Sequence, residues 1–241
     1  MAFLYETHLH TKEGSACGVS SGREYAKRYL DMGYTGIIIT DHFFGGNCRP
    51  SRNLPWEKWV QDFCRGYEIA REEGERLGLD VFFGWEETID GIDYLVYGLD
   101  KDWLLEHPEA SNWTQKDQYR EVKRYGGCVI QAHPFRSVNH AKQMYACDKY
   151  IDAIEAANSG NNQFSDAIAM IYAQKKSFPI TAGSDIHHVR DICDDFVFGV
   201  YLDKKMETIA DYVDAVLNNS IAGLKVPDER FDITGPFSAL Y

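Results

Sequence analysis

Histidine and acidic residues occur in this sequence as five small groups that are separated by tens of positions. Imidazole and carboxylate ligands together suit zinc, manganese or iron, and a carboxylate can bridge two ions in a way that a neutral imidazole cannot. These residue types therefore favour a metal centre that holds more than one ion. The groups are His8 and His10, Asp41 and His42, Glu86, His133, and Asp185 and His187.

Short apolar, β-branched or aromatic runs alternate along the chain with longer segments of helical character. This alternation is typical of βα units around a parallel sheet. The number of runs corresponds to about one strand for each position of an α/β barrel. The predicted strands are Phe3 to Thr7, Gly36 to Thr40, Val81 to Trp85, Tyr94 to Tyr97, Cys128 to Ala132, Ala153 to Ala156, Ile180 to Ala182 and Phe198 to Leu202.

Each group of candidate ligands lies where a predicted strand ends. His8 and His10 follow the first strand, Glu86 the third and His133 the fifth. In a parallel barrel the carboxyl ends of all strands open on one face, so residues that are far apart in sequence converge there. His8 and His10 are two residues apart and point the same way, because side chains alternate along a strand. The scattered groups are thus expected to form one site.

Capping and periodicity predict the helices between these strands. Ser21 and Glu24 have capping-box spacing, and Gly33 supplies a left-handed C-cap. The longest helix is predicted to start after Asn53, with Pro55 in its first turn, and to end before Gly78. The other predictions are helices over Thr114 to Tyr125, Ser165 to Lys176 and Met206 to Leu217, and an irregular tail over Ile221 to Tyr241.

Length and charge limit the kinds of partner. With 241 residues, 44% hydrophobic and 26% charged, the chain is expected to form one packed domain. Its net charge of -12 disfavours a binder of duplex nucleic acid, which needs Lys and Arg against phosphates. Small anionic substrates remain compatible with it, because divalent ions in one cleft reverse the local field.

Cysteine usage and the N-terminus predict a cytoplasmic protein. The six cysteines form no CxxC pair, as expected for a reducing compartment. The sequence MAFLYETHLH has no basic region that would mark a signal peptide. No apolar run approaches the ~18 residues of a membrane span, so no membrane association is expected. The oligomeric state does not follow from the sequence.

Several polar residues near or outside these groups are given other roles. His107 and His140 are interpreted as structural histidines. Asp41 and His188 are expected to orient metal-bound histidines. Glu87 follows Glu86 and should point away from the site, towards solvent or an ion pair.

Two other kinds of catalysis lack their sequence patterns. Gly183-Ser184-Asp185 is not a GxSxG nucleophile elbow, and no cysteine stands in an evident activating context. The chain also has no Gly-rich phosphate loop. Covalent catalysis and P-loop chemistry are therefore disfavoured.

At this point the pattern resembles the PHP (polymerase and histidinol phosphatase) superfamily. Five pieces match in the family's order over residues 5 to 190, which makes the combination more specific than any piece alone. They are His8-Leu9-His10-Thr11, Thr40-Asp41-His42, Gly84-Trp85-Glu86, Ala132-His133-Pro134-Phe135-Arg136 and Gly183-Ser184-Asp185-Ile186-His187.

The resemblance implies a distorted (β/α)7 TIM-like barrel in a single domain over residues 1 to 241, with a C-terminal strand, helix and tail over 197 to 241. It also implies two to three divalent ions, of zinc, manganese or iron. One ion would be held by His8, His10, Glu86 and Asp185, a second by Glu86 and His133, and a third by His42 and His187. Members of the superfamily include phosphatases of histidinol phosphate and other small esters, exonucleases and polymerase domains.

This chain departs from the family pattern at two places. Many members carry an Asp or His after the HxH motif that binds the third ion, whereas this chain has Lys12 to Gly18 there. Glu13 is the first candidate for that ligand, and Cys17 is the second. Some members also supply a histidine after the fourth strand, where this chain has Gly98-Leu99-Asp100.

The predicted function is hydrolysis of a small phosphomonoester by a metal-bound hydroxide near Glu86, because bound divalent ions lower the pKa of water and neutralise phosphoryl oxygens. Arg136 is a candidate phosphate clamp, with an ion pair as its alternative role. Arg49 and Arg52 follow the second strand and are candidate phosphate ligands, with a solvated loop as the alternative. The predicted catalytic residues are Glu86, His133, Asp185 and Arg136.

Three other functions are compatible with the same residues. The first is cleavage of short oligonucleotides or nucleotides by a phosphodiesterase or exonuclease. The second is metal-assisted hydrolysis of an amide or cyclic ester, because the same ions can polarise a carbonyl. The third is a non-catalytic metal-binding barrel, because a fold alone does not guarantee activity.

Overall fold

A computed structural model describes residues 2–136 and 146–232. The strands are β1 (Phe3–Glu6), β2 (Gly36–Ile39), β3 (Asp80–Ile89), β4 (Ile92–Tyr97), β5 (Cys128–Gln131), β6 (Ala153–Asn158), β7 (Ile180–Gly183), β8 (Gly199–Leu202) and β9 (Gly223–Lys225). The helices are α1 (Gly22–Asp31), α2 (Trp56–Phe63), α3 (Arg65–Leu77), α4 (Lys101–Glu106), α5 (Gln115–Arg124), α6 (Gln163–Lys176) and α7 (Ile209–Leu217). All eight predicted strands are confirmed, and β9 lies in the predicted irregular tail. His140 lies outside the described residues.

The described strands form one mixed sheet in the order β7-β6-β5-β4-β3-β2-β1-β8-β9. The segments that follow β1 and β7 join each other: the backbone N of Asp185 donates to the His8 carbonyl at 2.8 Å, and that of His10 donates to the Ile186 carbonyl at 3.1 Å. Strand β8 pairs antiparallel with residues Phe3 to Tyr5 of β1. The sheet is therefore nearly closed into a barrel, and the prediction of a distorted α/β barrel is confirmed.

The expectation of an all-parallel barrel is wrong for β8, which pairs antiparallel with β1, and also for β4. This strand pairs antiparallel with both β3 and β5. Asp90 and Gly91, with φ of 54° and 78°, form a two-residue turn between β3 and β4, and so short a turn can only connect antiparallel strands. As a result, Gly98, which follows β4, lies at the end of the barrel opposite the candidate ligands. Asp93, near the start of β4, lies at the same end as the ligands.

Local sequence explains most helix boundaries. The capping box of Ser21 and Glu24 starts α1, and Gly33 follows it with φ of 81°, as predicted. The single long helix predicted before Gly78 is wrong, because Cys64, with φ of -73° and ψ of -2°, interrupts it between α2 and α3. Helix α3 brings Gly66 against the segment after β1, where a Cβ atom would lie 2.0 Å from Thr11 Oγ1.

Aromatic packing fixes the segment that leaves β2. Trp59 and Phe63 of α2 are fully buried and stack on each other. Phe43 packs edge-on against Trp59 with ring centroids 5.1 Å apart, and its other neighbours include Trp85 of β3. Because Phe43 follows His42 directly, this packing holds the candidate ligand next to β3. None of the helices in the described part of the chain is long and apolar enough to cross a membrane.

Glu6, at the end of β1, is a buried polar anchor of the barrel. Its Oε1 accepts hydrogen bonds at 2.9 Å from the backbone N of Thr7, His8 and Ser184. Its Oε2 accepts from the hydroxyl groups of Tyr29 on α1 and of Ser184 after β7. One carboxylate therefore ties together two strand ends and a helix at the point where the candidate ligands begin.

We expect Glu6→Ala to lower the free energy of unfolding by about 3 kcal/mol or more, because it leaves several buried donors without an acceptor. Glu24→Ala, which removes an exposed capping box, should cost only about 1 kcal/mol. Urea unfolding in the presence of a chelator would measure both changes apart from any effect of metal. Equal losses in the two variants would contradict the anchoring role of Glu6.

Candidate metal centre

Glu86 lies at the centre of a buried cluster at one end of the barrel. Its side chain is only 1% exposed. Oε1 lies 2.9 Å from Nε2 of His133 and 3.4 Å from Nε2 of His8. Oε2 lies 2.7 Å from Nδ1 of His42 and 3.5 Å from Nε2 of His10. Four imidazoles from three parts of the chain thus meet one carboxylate, which is the geometry expected of a bridging ligand.

Asp185 completes the cluster from the side of β7. Its Oδ1 lies 3.0 Å from Nε2 of His10 and 3.6 Å from Nε2 of His8. The same oxygen is 3.7 Å from Nδ1 of His187, and Oδ2 is 2.7 Å from the Arg136 guanidinium. Asp185 therefore faces candidate ligands on one side and a fixed positive charge on the other.

Ligand atoms of the cluster fall into three overlapping groups whose members lie within 4.8 Å of one another. The groups correspond to the three ions that the family resemblance implies, with His8 and His10 each shared by two of them. The structure thus brings together seven of the eight predicted ligands, whose binding of metal stays a prediction. The groups are His8, His10 and Asp185; His8, Glu86 and His133; and His10, His42 and His187.

Unpaired polar atoms show that the cluster fits divalent cations. Glu86 Oε2 and His42 Nδ1 are buried and lack a hydrogen-bond partner among the described residues, although they are only 2.7 Å apart. Buried polar atoms are normally paired, because leaving one unpaired is costly. A cation beside them would satisfy both atoms.

Hydrogen bonds orient the two histidines of the HxH motif. Nδ1 of His8 lies 2.9 Å from Oε1 of the buried Glu155 on β6, to which it donates. Ser15 Oγ donates to Asp41 Oδ1 at 2.7 Å, so Nδ1 of His10, 3.1 Å away, must be the donor to that hydroxyl. Both rings then turn Nε2 towards Glu86 and Asp185. Such outer partners fix the tautomer and orientation of metal-binding histidines.

Asp41 acts through its neighbours, as expected for a residue that orients ligands. Besides the Ser15 hydroxyl, its carboxylate accepts hydrogen bonds from the backbone N and the hydroxyl of Thr11, at 2.6 and 2.7 Å. Burial raises the pKa of Asp41 to about 6, although these hydrogen bonds oppose the shift. Asp41 therefore shapes the segment after β1 and holds the serine that orients His10.

The electrostatics of the cluster favour a cation. Burial lowers the pKa of His8, but the charges of Glu155 and other carboxylates more than offset this, and the pKa lies well above its usual value. Burial raises the pKa of Glu86, yet nearby His42 and His8 hold it well below its usual range. Burial and the neighbouring His42 keep the pKa of His10 low. The site thus combines ionised carboxylates with a neutral imidazole.

The segment after β1 places Cys17, and not Glu13, beside the third ligand group. Glu13 Oε2 accepts a hydrogen bond from Gly22 N at the start of α1, at 3.3 Å. Burial raises the pKa of the Cys17 thiol, but the neighbouring His187 and His42 lower it to about 6. The binding of an ion by Glu13 or Cys17 stays a prediction, and the fold of this segment decides which side chain faces inwards.

Arg136 is held rigidly at the edge of the cluster. Its Nη2 donates to Asn158 Oδ1 at 2.5 Å as well as to Asp185, and its Nε donates to Asn161 Oδ1 at 2.8 Å. Its side chain is 23% exposed, so the ion pair with Asp185 is not the surface pair considered from the sequence. The guanidinium is thus fixed next to the candidate ligands.

Arg49 and Arg52 contact backbone carbonyls of neighbouring loops. Arg49 donates to the carbonyls of Ser15, Ala16 and Gly18, at 3.2 to 3.4 Å. Arg52 donates to the carbonyl of Phe44 at 2.6 Å and also to that of Gly46. Their predicted binding of phosphate stays a prediction, and the structure shows both of them fastening loops near His42.

Three roles proposed from the sequence can be compared with the structure. His188 Nδ1 accepts from the backbone N of Arg190 and caps a short 3₁₀ turn, so its expected role in orienting a ligand is wrong. Glu87 is buried and accepts from the backbone N of Gly45 at 2.7 Å, not from solvent or a cation. His107 stacks on Trp103 with centroids 3.9 Å apart, as expected of a structural histidine.

Two acidic residues beside the candidate ligands were missed in the sequence analysis. Glu155 is the one charged residue of strand β6, and this feature of the sequence could have indicated that it has a role in the site. Asp93 Oδ2 lies 3.8 Å from Nε2 of His133, which requires the hairpin between β3 and β4. The dipeptide Asp90-Gly91 was the indication of that hairpin.

Backbone conformation also marks this end of the barrel. His133, Phe135 and Asp185 have φ of 28°, 63° and 56°. Residues other than glycine rarely occupy this region, and such strain persists where the surrounding structure imposes it. The strained residues are thus two candidate ligands and a close neighbour of one of them.

No family model and no curated protein matches the chain. Solved structures do. A proposed metal-dependent phosphoesterase from Bifidobacterium adolescentis has a TM-score of 0.58 at 14% identity, over 90% of this chain and 96% of its own. A two-domain protein from Bacteroides vulgatus that contains a predicted PHP-like metal-dependent phosphoesterase has a TM-score of 0.64 at 18% identity, over 89% of this chain.

The chain shares the fold of these PHP-like proteins. It spans 63% of the two-domain protein from B. vulgatus. An amidohydrolase from Chromobacterium violaceum, solved with bound sulfate, has a TM-score of 0.55 at 13% identity, over 88% of this chain and 96% of its own. At such identities the PHP-like proteins and the amidohydrolase establish the fold of the chain, and its activity has to be argued from the site.

We expect Glu155→Gln to weaken the binding of zinc by roughly 10–100-fold, because an amide no longer fixes the tautomer of His8. Glu73→Gln is a matched control, since Glu73 is also buried but pairs with Arg76 on α3. Competition titration against a chelator would measure both affinities. Equal affinities in the two variants would contradict an orienting role for Glu155.

Proposed function

We propose that this protein is a metal-dependent hydrolase that cleaves a small phosphomonoester. The observation that carries the proposal is the position of the Arg136 guanidinium, 2.7 Å from Asp185 and beside three overlapping groups of metal ligands. Phosphoryl transfer depends mainly on positioning and on positive charge around the phosphoryl oxygens. This site offers both within one buried cluster.

Divalent ions bound here would lower the pKa of a water molecule and neutralise phosphoryl oxygens. Glu86 would hold two of these ions in a fixed relation, because its two oxygens face different imidazoles. Arg136 would bind a phosphoryl oxygen, and Asn158 and Asn161 would keep its guanidinium plane in place. His133 and Asp185, on strained backbone, would keep their side chains in one orientation throughout.

We further propose two to three ions, of zinc, manganese or iron, in a single-domain protein of the cytoplasm. The net charge of -12 supports a small phosphorylated substrate over duplex nucleic acid. Short oligonucleotides are the next class of substrate to test. The similar PHP-like phosphoesterases support the phosphate ester.

Hydrolysis of an amide or cyclic ester is the second candidate. It is supported by the similar fold of the amidohydrolase from C. violaceum. The sulfate in that same structure, a tetrahedral dianion like phosphate, is equally consistent with the first candidate. Arg136 decides our preference, because an amide carries no anionic group for it to bind.

We expect phosphate release that depends on manganese, zinc or iron with p-nitrophenyl phosphate, histidinol phosphate or a nucleoside monophosphate. His10→Ala and Asp185→Ala should each lower this activity by more than the roughly 10–100-fold lost when an outer partner is removed. His107→Ala is the control, because His107 lies outside the cluster. The same panel should include short oligonucleotides and an amide substrate.

The results of this panel distinguish phosphate-ester hydrolysis from the other candidate functions. Activity on the amide alone would favour the second candidate. Metal binding without any turnover would favour a non-catalytic barrel and contradict our proposal.

We expect Arg136→Lys to raise KM for the phosphate ester by roughly tenfold or more, because a lysine keeps the charge but loses the planar fork. Its metal content should stay unchanged. Arg28→Lys is a matched control, since Arg28 is half-buried and donates to the Ile192 carbonyl away from the ligands. Steady-state kinetics with metal analysis would test this. An unchanged KM would contradict a substrate contact by Arg136.

A further inference from the structure

We propose that Asn158, the last residue of β6, is a positioning residue that holds the phosphate contact Arg136 in a fixed relation to the metal ligand His8. Its buried amide lies between Arg136 and Glu155, the carboxylate that orients His8. The inference rests on the proposed function in taking Arg136 as the contact for phosphate. It adds a residue that acts on metal and substrate only through its neighbours.

The oxygen of the Asn158 amide faces two donors. Its Oδ1 accepts hydrogen bonds from Arg136 Nη2 at 2.5 Å and from the backbone N of Gly160 at 2.9 Å. Both partners can only donate, so a rotated amide would place its NH2 group against two other donors. The orientation of the amide is therefore fixed by its surroundings.

The nitrogen of the same amide contacts the carboxylate behind His8. Asn158 Nδ2 donates to Glu155 Oε2 at 2.9 Å, and this oxygen also accepts from the backbone N of His133 at 2.8 Å. The other oxygen, Oε1, accepts from Nδ1 of His8 at 2.9 Å. Because both oxygens of Glu155 are bonded, the plane of its carboxylate is fixed, and with it the direction of the His8 imidazole.

Arg136 and His8 also meet on the opposite side, through Asp185. Asp185 Oδ2 lies 2.7 Å from Arg136 Nη2, and Oδ1 lies 3.6 Å from Nε2 of His8. Glu155 and Asn158 join the same two side chains from behind, so that an ion held by His8 and Asp185 would complete a closed cycle of contacts. In such a cycle the imidazole and the guanidinium cannot move independently, and phosphoryl transfer depends on this kind of positioning.

The backbone of Asn158 is fastened as well. Its N donates to Asp166 Oδ2 at 3.0 Å, and its carbonyl accepts from Arg230 Nη2 at 2.7 Å. Arg230 and Asp166 in turn form an ion pair at 2.7 Å. A substitution at this position is therefore expected to change the hydrogen bonds of the side chain and to leave the course of the backbone intact.

Asn161 provides a matched comparison within the same site. Its Oδ1 accepts from Nε of the Arg136 guanidinium at 2.8 Å, as Asn158 does from Nη2. Its Nδ2 donates to Asp166 Oδ1 at 2.7 Å and so points away from Glu155. Both asparagines hold Arg136, and a link to the metal ligand is expected for Asn158 alone.

We expect Asn158→Asp to weaken the binding of zinc by roughly 10–100-fold, whereas Asn161→Ala should leave it unchanged. One oxygen of the new carboxylate would still accept from Arg136, but the other would face Glu155 Oε2 without a hydrogen to donate. Competition titration of the full-length variants against a chelator would measure both affinities. Urea unfolding in the presence of a chelator would establish that both variants are folded.

Asn158→Ala and Asn161→Ala should each raise KM for the phosphate ester by roughly tenfold or more, because each removes an acceptor that fixes the guanidinium. Of these two variants, Asn158→Ala alone should also weaken zinc binding. Titration of inorganic phosphate into the zinc-loaded protein would measure the loss at Arg136 without any turnover.

A double-mutant cycle separates positioning from a general loss of structure. Once Glu155→Gln has removed the carboxylate, Asn158→Ala should weaken zinc binding little further, because Asn158 acts through Glu155. Independent structural effects would instead add.

The inference and the proposed function fail in different ways. Equal zinc affinities in Asn158→Asp and Asn161→Ala, or additive losses in the cycle, would overturn the role of Asn158 and leave phosphate hydrolysis intact. An unmodified protein that binds zinc but neither inorganic phosphate nor the ester would refute the proposed function, and the shared role of Asn158 with it.

Discussion

The burial of Glu86 among four imidazoles is the constraint on which the rest of the site depends. An ionised carboxylate in a barrel interior is unfavourable unless positive charge and hydrogen bonds compensate for its lost hydration. Here the partners are His8, His42 and His133, and one oxygen of Glu86 still has no hydrogen-bond donor among the described residues. A site built in this way is incomplete without cations, and this explains why the surrounding residues orient imidazoles and do not neutralise the acids.

The orienting residues impose their own cost on the fold. Glu155, Ser15 and Asp41 are buried polar residues that an apolar barrel would not contain. His133 and Asp185 adopt a strained backbone, so other contacts must stabilise this end of the barrel. The aromatic packing of α2 and the anchor at Glu6 supply such contacts. The chain thus separates the tasks: one set of residues holds the barrel closed, and another holds the ligands.

The order of the ligands along the chain could be predicted, because ligands at strand ends converge once the strands form a barrel. The alternation of strands and helices indicated that barrel, and the capping box of α1 indicated a helix boundary. The direction of β4 was missed because its run of apolar residues looks the same in either direction. Only the turn at Asp90 and Gly91 determines it. Because of that error, a ligand was expected after β4, at Gly98, and the position of Asp93 near the start of β4 was overlooked.

The choice between Glu13 and Cys17 shows a different limit of sequence analysis. Both lie in the same short segment, and spacing alone allows either to face the site. What decides is a set of contacts from outside the segment: Asn47 and Arg49 hold its backbone, and His187 accepts from Val19. Such contacts form only in the closed barrel, so no local sequence pattern predicts them. Glu155 was missed for a related reason, since its role is defined by His8, 147 positions away.

The same dependence on distant contacts extends to the end of the described chain. Arg230 donates to Asp166 at 2.7 Å and to the carbonyls of Asn158 and Asn161 at 2.7 and 2.8 Å. Asp166 in turn accepts from the backbone N of Asn158 and from the side chain of Asn161. Both asparagines hold Arg136 against the candidate ligand Asp185. The contacts of Arg230 join segments 64 to 72 positions apart, so the support behind the two asparagines is complete only when the chain has folded as far as Arg230. The residue on which phosphate recognition is proposed to depend is therefore supported by the last segment of the described structure, and not only by the loop after β5 that carries it.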